Sequence, residues 1–273
     1  MKDRIQYYTS EDEEFSGTDF NGRKVDGDYV YIRNGVGTRI LYSVIARPIA
    51  FLYSKLVLRQ KTVGRKKLKG FKNTGIYVYG NHTQRTGDPF MPNSFLFPKR
   101  VYFVVHPDNI SIPVLGKYTP ALGALPLPGD MKAYRNFLSA LDTRTGEGGA
   151  VVIYPEAHIW PYYTGIRPFP DTSFRYPVKE NAPAVAMVVT YRKRKGLFRF
   201  LKRPAITVSF SEIMMPDRSL TPRKAQRALR NRALAFMEAV AGSKDQIRYI
   251  RYEYIPKTDT GVPREAEGKE HAV

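Results

Sequence analysis

Six apolar, β-type runs recur along the middle of this chain, at 75–79, 101–105, 123–127, 150–154, 184–190 and 205–211, each separated by polar loops or helix-like stretches. Alternation of that kind predicts an α/β fold: a mixed, largely parallel central sheet covered by helices, preceded by an N-terminal amphipathic helical segment. The 273 residues suffice to bury a sizeable core. They divide into a polar arm (1–36), an amphipathic segment (37–70), a main domain that holds the six runs (71–256) and a disordered tail (257–273). A hairpin is expected near Asp26-Gly27, followed by a strand over Tyr29–Ile32. Covering helices are expected over Lys132–Asp142 and from Thr221-Pro222, an N-cap followed by Pro at the first helical position, to Gly242. Residues 247–256 read as a strand or an extended arm.

Two of the runs end in polar clusters. Gly75-Ile76-Tyr77-Val78-Tyr79 leads through Gly80 into Asn81-His82-Thr83-Gln84-Arg85-Thr86-Gly87-Asp88. His82 and Asp88 have the types of a general base and its orienting partner, since an imidazole takes a proton and a carboxylate fixes its tautomer. Six residues apart, they would point about 240° away from each other on a helix, so they meet only in a loop. Gly80 and Gly87 permit one. The alternative is a capping role, with Asp88 opening the helix ahead of Pro89. The run Ala150–Tyr154 ends in Pro155-Glu156-Ala157-His158, again at the carboxyl end of a strand, where the active-site groups of α/β proteins gather.

These residues resemble the glycerolipid acyltransferases of the 1-acylglycerol-3-phosphate acyltransferase type. NHTQRTGD is similar to that family's Asn-His-x4-Asp, with five intervening residues instead of four. LGALPLPGD (122–130), YPEAHIWP (154–161) and APAVAMVVTY (182–191) are similar to its second, third and fourth blocks in order and in spacing. The resemblance implies transfer of a fatty acyl group from acyl-CoA or acyl carrier protein to the hydroxyl of a lysophospholipid, by default lysophosphatidic acid. No further cofactor and no metal are expected. It also implies that Asn81, Thr83, Gln84 and Gly87 serve the histidine loop, that Pro155 and Glu156 position the acceptor, and that Lys132, Arg135, Arg167 or His158 meets its phosphate. Where the family's third block carries Arg, this chain has Ile159. That departure leaves open a different lipid or glycolipid acceptor. Absorption of the extra loop residue falls to Gly87, at a positive φ.

The net charge is +19, unevenly spread: residues 1–28 hold 4 Lys/Arg against 8 Asp/Glu, and the remainder 40 against 17. A body this basic attracts polyanions. The stretch Thr38–Leu58 is apolar but punctuated by Arg39, Arg47 and Lys55, and its longest charge-free run, Pro48–Ser54, is far short of the ~20 residues of a membrane span. With Arg65, Lys66 and Lys67 downstream, it reads as an interfacial helix on an anionic surface, kinked or split at Pro48. The alternative is an ordinary amphipathic helix packed on the core. These features place the protein at the cytoplasmic face of a membrane, peripheral or monotopic. The first residues are polar and acidic, unlike a secretory signal. The chain has no cysteine, which excludes thiolate and disulfide chemistry. Its four histidines lack metal-ligand spacing. A non-enzymatic basic protein that binds membrane or nucleic acid is the remaining alternative, although no nucleic-acid module accompanies the charge.

Overall fold

The computed structural model describes residues 4–15, 24–110, 116, 118–196 and 199–256, so the expectation for 257–273 lies outside the described residues. Strands β1 (Arg4–Tyr8) and β9 (Ile250–Tyr254) form a two-stranded parallel sheet, with Arg4 opposite Ile250. The other seven strands are β2 (Lys61–Val63), β3 (Ile76–Gly80), β4 (Val101–Val105), β5 (Ala124–Pro126), β6 (Ala150–Ile153), β7 (Ala184–Arg192) and β8 (Ala205–Phe210). They form one sheet in the order β2-β8-β7-β3-β6-β4-β5. Every neighbouring pair is parallel except β7–β8. This is the mixed, mostly parallel α/β architecture that the apolar runs predict.

Both faces of the central strands are covered, which is why β3, β6 and most of β7 are continuous apolar runs rather than alternating ones. Tyr77 and Tyr79 of β3 point into one core, with Phe137, Phe174, Tyr176 and Leu229. Ile76 and Val78 point into the other, with Met91, Phe95, Met187 and Phe210. The helices are α1 (Val36–Val57), α2 (Met91–Phe95), α3 (Met131–Gly146), α4 (Arg175–Glu180) and α5 (Pro222–Ala241). Asp130 caps α3 by accepting from the Ala133 N–H at 2.7 Å. Residues Tyr29–Ile32 form no strand. They lie instead against α3 and β5, where the Tyr31 hydroxyl donates to the Pro126 carbonyl at 3.0 Å.

α1 is continuous through Pro48, not split. A π turn, Leu41–Ala46, directly precedes the α turn that holds Pro48. It widens the winding where the proline ring would meet the carbonyl four residues back. A second π turn covers Tyr53–Val57. Mixed α and π winding stretches the repeat above 3.6 residues, so the buried residues Tyr42, Ala50, Ser54 and Leu58 share a spacing close to four. The uninterrupted helix is long and apolar enough, by length and composition, to cross a bilayer, and only 17% of its apolar window is buried. The charge-free run thus understated its reach. Val36, Ile40, Val44, Ile49, Leu52 and Leu56 are among its exposed side chains.

Candidate active site

β3 stops at Gly80, where a Cβ would stand 2.6 Å from the Met187 side chain and 3.0 Å from the Tyr154 ring. The chain then enters a loop at the carboxyl end of the sheet. Asn81 pins it to β7: its amide accepts from the Val189 N–H at 2.8 Å and donates to the Val189 carbonyl at 3.1 Å. Asp88 closes the loop by donating its N–H to the Gln84 carbonyl at 3.1 Å. That turn brings His82 Nδ1 to 2.7 Å from Asp88 Oδ2.

Oδ2 also accepts from the Gln84 N–H at 3.1 Å, while Oδ1 has no hydrogen-bond partner among the described residues. An ionised carboxylate only accepts, so Nδ1 carries the proton and Nε2 the free lone pair. The Asp88 side chain is 1% exposed and that of His82 17%, so the pair is shielded but reachable. Burial pushes the Asp88 carboxyl above its ordinary range, against the pull of the His82 hydrogen bond and charge. Tyr154 stacks on the imidazole, with ring centroids 4.4 Å apart and planes 9° from parallel, and its hydroxyl donates to the Asp88 carbonyl at 2.8 Å. One tyrosine therefore fixes both partners.

The loop after β6 runs alongside. The Trp160 N–H donates to the His82 carbonyl at 3.1 Å, and the Tyr162 N–H to that of Thr83 at 2.9 Å. Glu156 turns inward rather than toward an acceptor: its carboxylate is 0% exposed. It accepts from the His82 N–H at 3.2 Å and the Arg167 N–H at 3.2 Å, and pairs with the Arg167 guanidinium at 3.3 Å. Burial raises the Glu156 carboxyl, with Arg167 the largest opposing influence. Arg167, expected among the phosphate contacts, is 3% exposed. Its donors go to Glu156, to the His158 carbonyl and to the Glu11 carbonyl, and it lies over the Trp160 ring. A charge spent this way is closed to a headgroup.

Other sequence expectations also shift. Asn81, Thr83 and Gln84 are buried within the histidine loop. The Tyr191 hydroxyl donates to Thr83 Oγ1 at 2.7 Å, and Gln84 Nε2 donates to the same hydroxyl at 3.0 Å. Gly87 does not adopt a positive φ; the loop closes through the Gln84–Asp88 turn. Gly87 is needed for space instead, because a Cβ there would lie 2.9 Å from the Gln84 Cβ. Pro155 is partly buried at the head of the third-block loop. Lys132 and Arg135 lie on α3, which follows β5, three strand spacings or about 14 Å across the sheet from β3. Lys132 is also paired with Asp28 at 2.8 Å. These two are therefore set apart from the histidine loop.

The basic residues assigned to the membrane edge divide similarly. Arg39, Lys55, Arg65 and Lys66 are exposed. Arg47 folds back onto the body, where Nη2 donates to the Lys99 carbonyl at 2.5 Å and the guanidinium lies 4.7 Å from the Phe97 ring centroid. Lys67 is paired with Glu212 at 2.9 Å.

Sequence reasoning missed the N-terminal strap. The Trp160 indole donates to the Glu13 carbonyl at 2.7 Å, and the Arg85 guanidinium donates to the Phe15 carbonyl. Both Glu14 carboxylate oxygens accept from the Ile159 N–H at 3.2 Å, and His158 Nδ1 lies 3.3 Å from Oε2. A carboxylate from the N-terminal segment thus sits on the main chain of Ile159, the residue that stands for arginine in the third block. Among the described residues, no group of three or more His, Asp or Glu side chains is arranged to hold a metal.

A sequence model described as Acyltransferase matches residues 59–209, more than half of the chain. Comparison with curated protein sequences gives no significant match. Among solved structures, the 1-acyl-sn-glycerophosphate (LPA) acyltransferase PlsC from Thermotoga maritima is similar, with a TM-score of 0.52 at 15% identity over 72% of this chain and 80% of that one. The likeness at that identity is one of fold. With the family match spanning β2 to β8 and the whole histidine loop, the chain belongs to the Acyltransferase family.

Proposed function

We propose that this acyltransferase moves a fatty acyl group from a thioester, acyl-CoA or acyl carrier protein, to the hydroxyl of a lysophospholipid at the cytoplasmic face of a membrane. The observation that carries the reading is His82 Nδ1 held 2.7 Å from the Asp88 carboxylate, with Nε2 free of any hydrogen bond among the described residues. Nε2 takes the proton of the acceptor hydroxyl as its oxygen attacks the thioester carbonyl. The tetrahedral intermediate collapses, the carbon–sulfur bond breaks, and the imidazolium returns the proton to the departing thiolate. The products are an ester and a free thiol, with no acyl-enzyme, consistent with a chain that lacks cysteine. Asp88 supports the imidazolium while it lasts.

The membrane reading rests on α1. Its exposed apolar side chains have no counterpart in a core, and Tyr53 near its end meets the site loop, with its hydroxyl 2.6 Å from Thr86 Oγ1 and its ring 5.1 Å from Phe90. A helix lying in the interface would hold the loop at the depth of the lipid hydroxyls.

Lysophosphatidic acid is the acceptor named for the similar solved structure, and it is the first to assay. A second reading of the headgroup is favoured by Glu14. With Ile159 in place of an arginine, Arg167 buried and a carboxylate on the Ile159 N–H, the third-block loop offers no open cation to a phosphate monoester. A zwitterionic or cationic headgroup suits it better. Acyl transfer to a panel of lysolipids differing only in headgroup separates the two, with Glu14→Gln as the diagnostic variant. Preference for lysophosphatidic acid, unmoved by Glu14→Gln, would reject the second reading. A shift toward that acceptor in the variant would support it.

A further inference from the structure

Where the end of α1 meets the open end of β7, the surface holds a cavity of about 250 Å³ lined by Lys55, Arg59, Gln60, Arg192, Arg194 and Lys195 among others. Five of these side chains are cationic and none is acidic. Among the described residues, no carboxylate pairs with Lys55, Arg192, Arg194 or Lys195. The two arginines are held by main-chain carbonyls. Arg192 Nη2 donates to Arg59 O at 2.5 Å; Arg194 donates to Val57 O at 2.7 Å and to Arg203 O at 2.6 Å. Carbonyls fix a guanidinium in place without cancelling its charge. Burial and the neighbouring Arg59 charge push both arginines below their ordinary range.

The position matters as much as the charge. Asn81 is bonded to Val189, so the histidine loop leaves the sheet level with that residue. Arg192 lies three residues further along β7, about 10 Å in the strand direction. A second cavity of about 990 Å³ shares Gln60, Arg192 and Lys195 and reaches Tyr191, whose hydroxyl holds Thr83 and Gln84. The cations therefore stand at the same end of the sheet as His82, and the larger cavity, which includes Tyr191, adjoins theirs through Gln60, Arg192 and Lys195.

We propose that this cavity is a phosphate-binding site, fitted to a ligand that carries two or more negative charges. Phosphate is common to two sources that the acyl-transfer reading brings to this end of the sheet: the nucleotide end of a CoA donor and the headgroup of a membrane phospholipid. The site's role rests on that reading, but binding can be measured without turnover, so failure of one is distinguishable from failure of the other.

The test compares wild type with Lys55→Gln/Lys195→Gln. Both lysines are exposed, so the fold is not at stake. A charge-matched control, Arg223→Gln/Lys224→Gln, removes two exposed cations from α5. Binding of free CoA is measured by calorimetry, and binding of phosphatidylglycerol vesicles by co-sedimentation, each across a salt series. At about a fivefold effect per cation, the cavity variant binds the true source about 30-fold more weakly, while the control changes it little. A loss confined to CoA assigns the site to the donor; a loss confined to vesicles assigns it to lipid. Equal losses in the cavity variant and the control, or none in either, would overturn the proposal.

Discussion

Replacing Asp88 with Asn separates what the carboxylate does for chemistry from what it does for folding. The amide has the same shape, and its oxygen can accept from both His82 Nδ1 and the Gln84 N–H, as Oδ2 does now. What disappears is the negative charge beside an imidazole that becomes a cation during the reaction. For unit charges about 4 Å apart in an environment of effective dielectric about 20, that attraction is about 4 kcal/mol, and at 1.36 kcal/mol per decade it corresponds to a fall in kcat of about 10³-fold. Stability moves the other way. Burial raises the folded-state pKa of Asp88 above the unfolded value of 3.8, so the folded chain binds protons more readily. That contribution is present below pH 3.8 and is lost as pH rises through the raised value. At neutral pH Asp88 therefore costs stability, and the neutral amide removes that cost. The assay is steady-state acyl transfer beside a thermal melt at pH 7. An inactive variant with an unchanged or higher Tm is the expected result. Near-wild-type turnover, or a fall of more than a few degrees in Tm, would refute the reasoning.

Gly87→Val should cost at least tenfold in kcat, because a Cβ 2.9 Å from that of Gln84 must push the turn that places Asp88; normal kinetics would mean that the turn yields freely. Ala157 has φ 64°, a left-handed conformation in which a Cβ costs about 1–2 kcal/mol. Ala157→Gly should therefore leave Tm unchanged or raise it by about 2–4 °C, the greater flexibility of unfolded glycine offsetting part of the gain, and a lower Tm would contradict this. Val44→Asp/Ile49→Asp, both on the exposed face of α1, should reduce vesicle binding at least tenfold without lowering Tm; equal co-sedimentation of variant and wild type would remove α1 from the membrane account.

The sheet was readable in the sequence because strands buried on both faces are unbroken apolar runs, and β3, β6 and β7 are of that kind. α5 announced itself through Thr221-Pro222 and Gly242. The meeting of His82 with Asp88 was legible as a residue pair at a strand end, since only a loop allows that spacing. Other features depend on contacts that no local pattern encodes. β1 and β9 join opposite ends of the chain, and β2 is only three residues long. Glu14 reaches Ile159 across 145 positions. The sequence of Arg167 reveals its charge but not that Glu156, 11 residues earlier, would draw it inward. Pro48 signals a break, and the preceding π turn removes the need for one.

The central claim is that His82 is the base for acyl transfer to a lipid hydroxyl. Purified wild type and His82→Ala, supplied with labelled acyl-CoA or acyl carrier protein and a panel of lysolipids, provide the most direct test. The account predicts a two-chain lipid product from wild type, with turnover lower by about 10²–10⁴-fold in a variant whose melting curve is unchanged. Full activity in His82→Ala, or no transfer to any lysolipid by the folded wild-type protein, would contradict it.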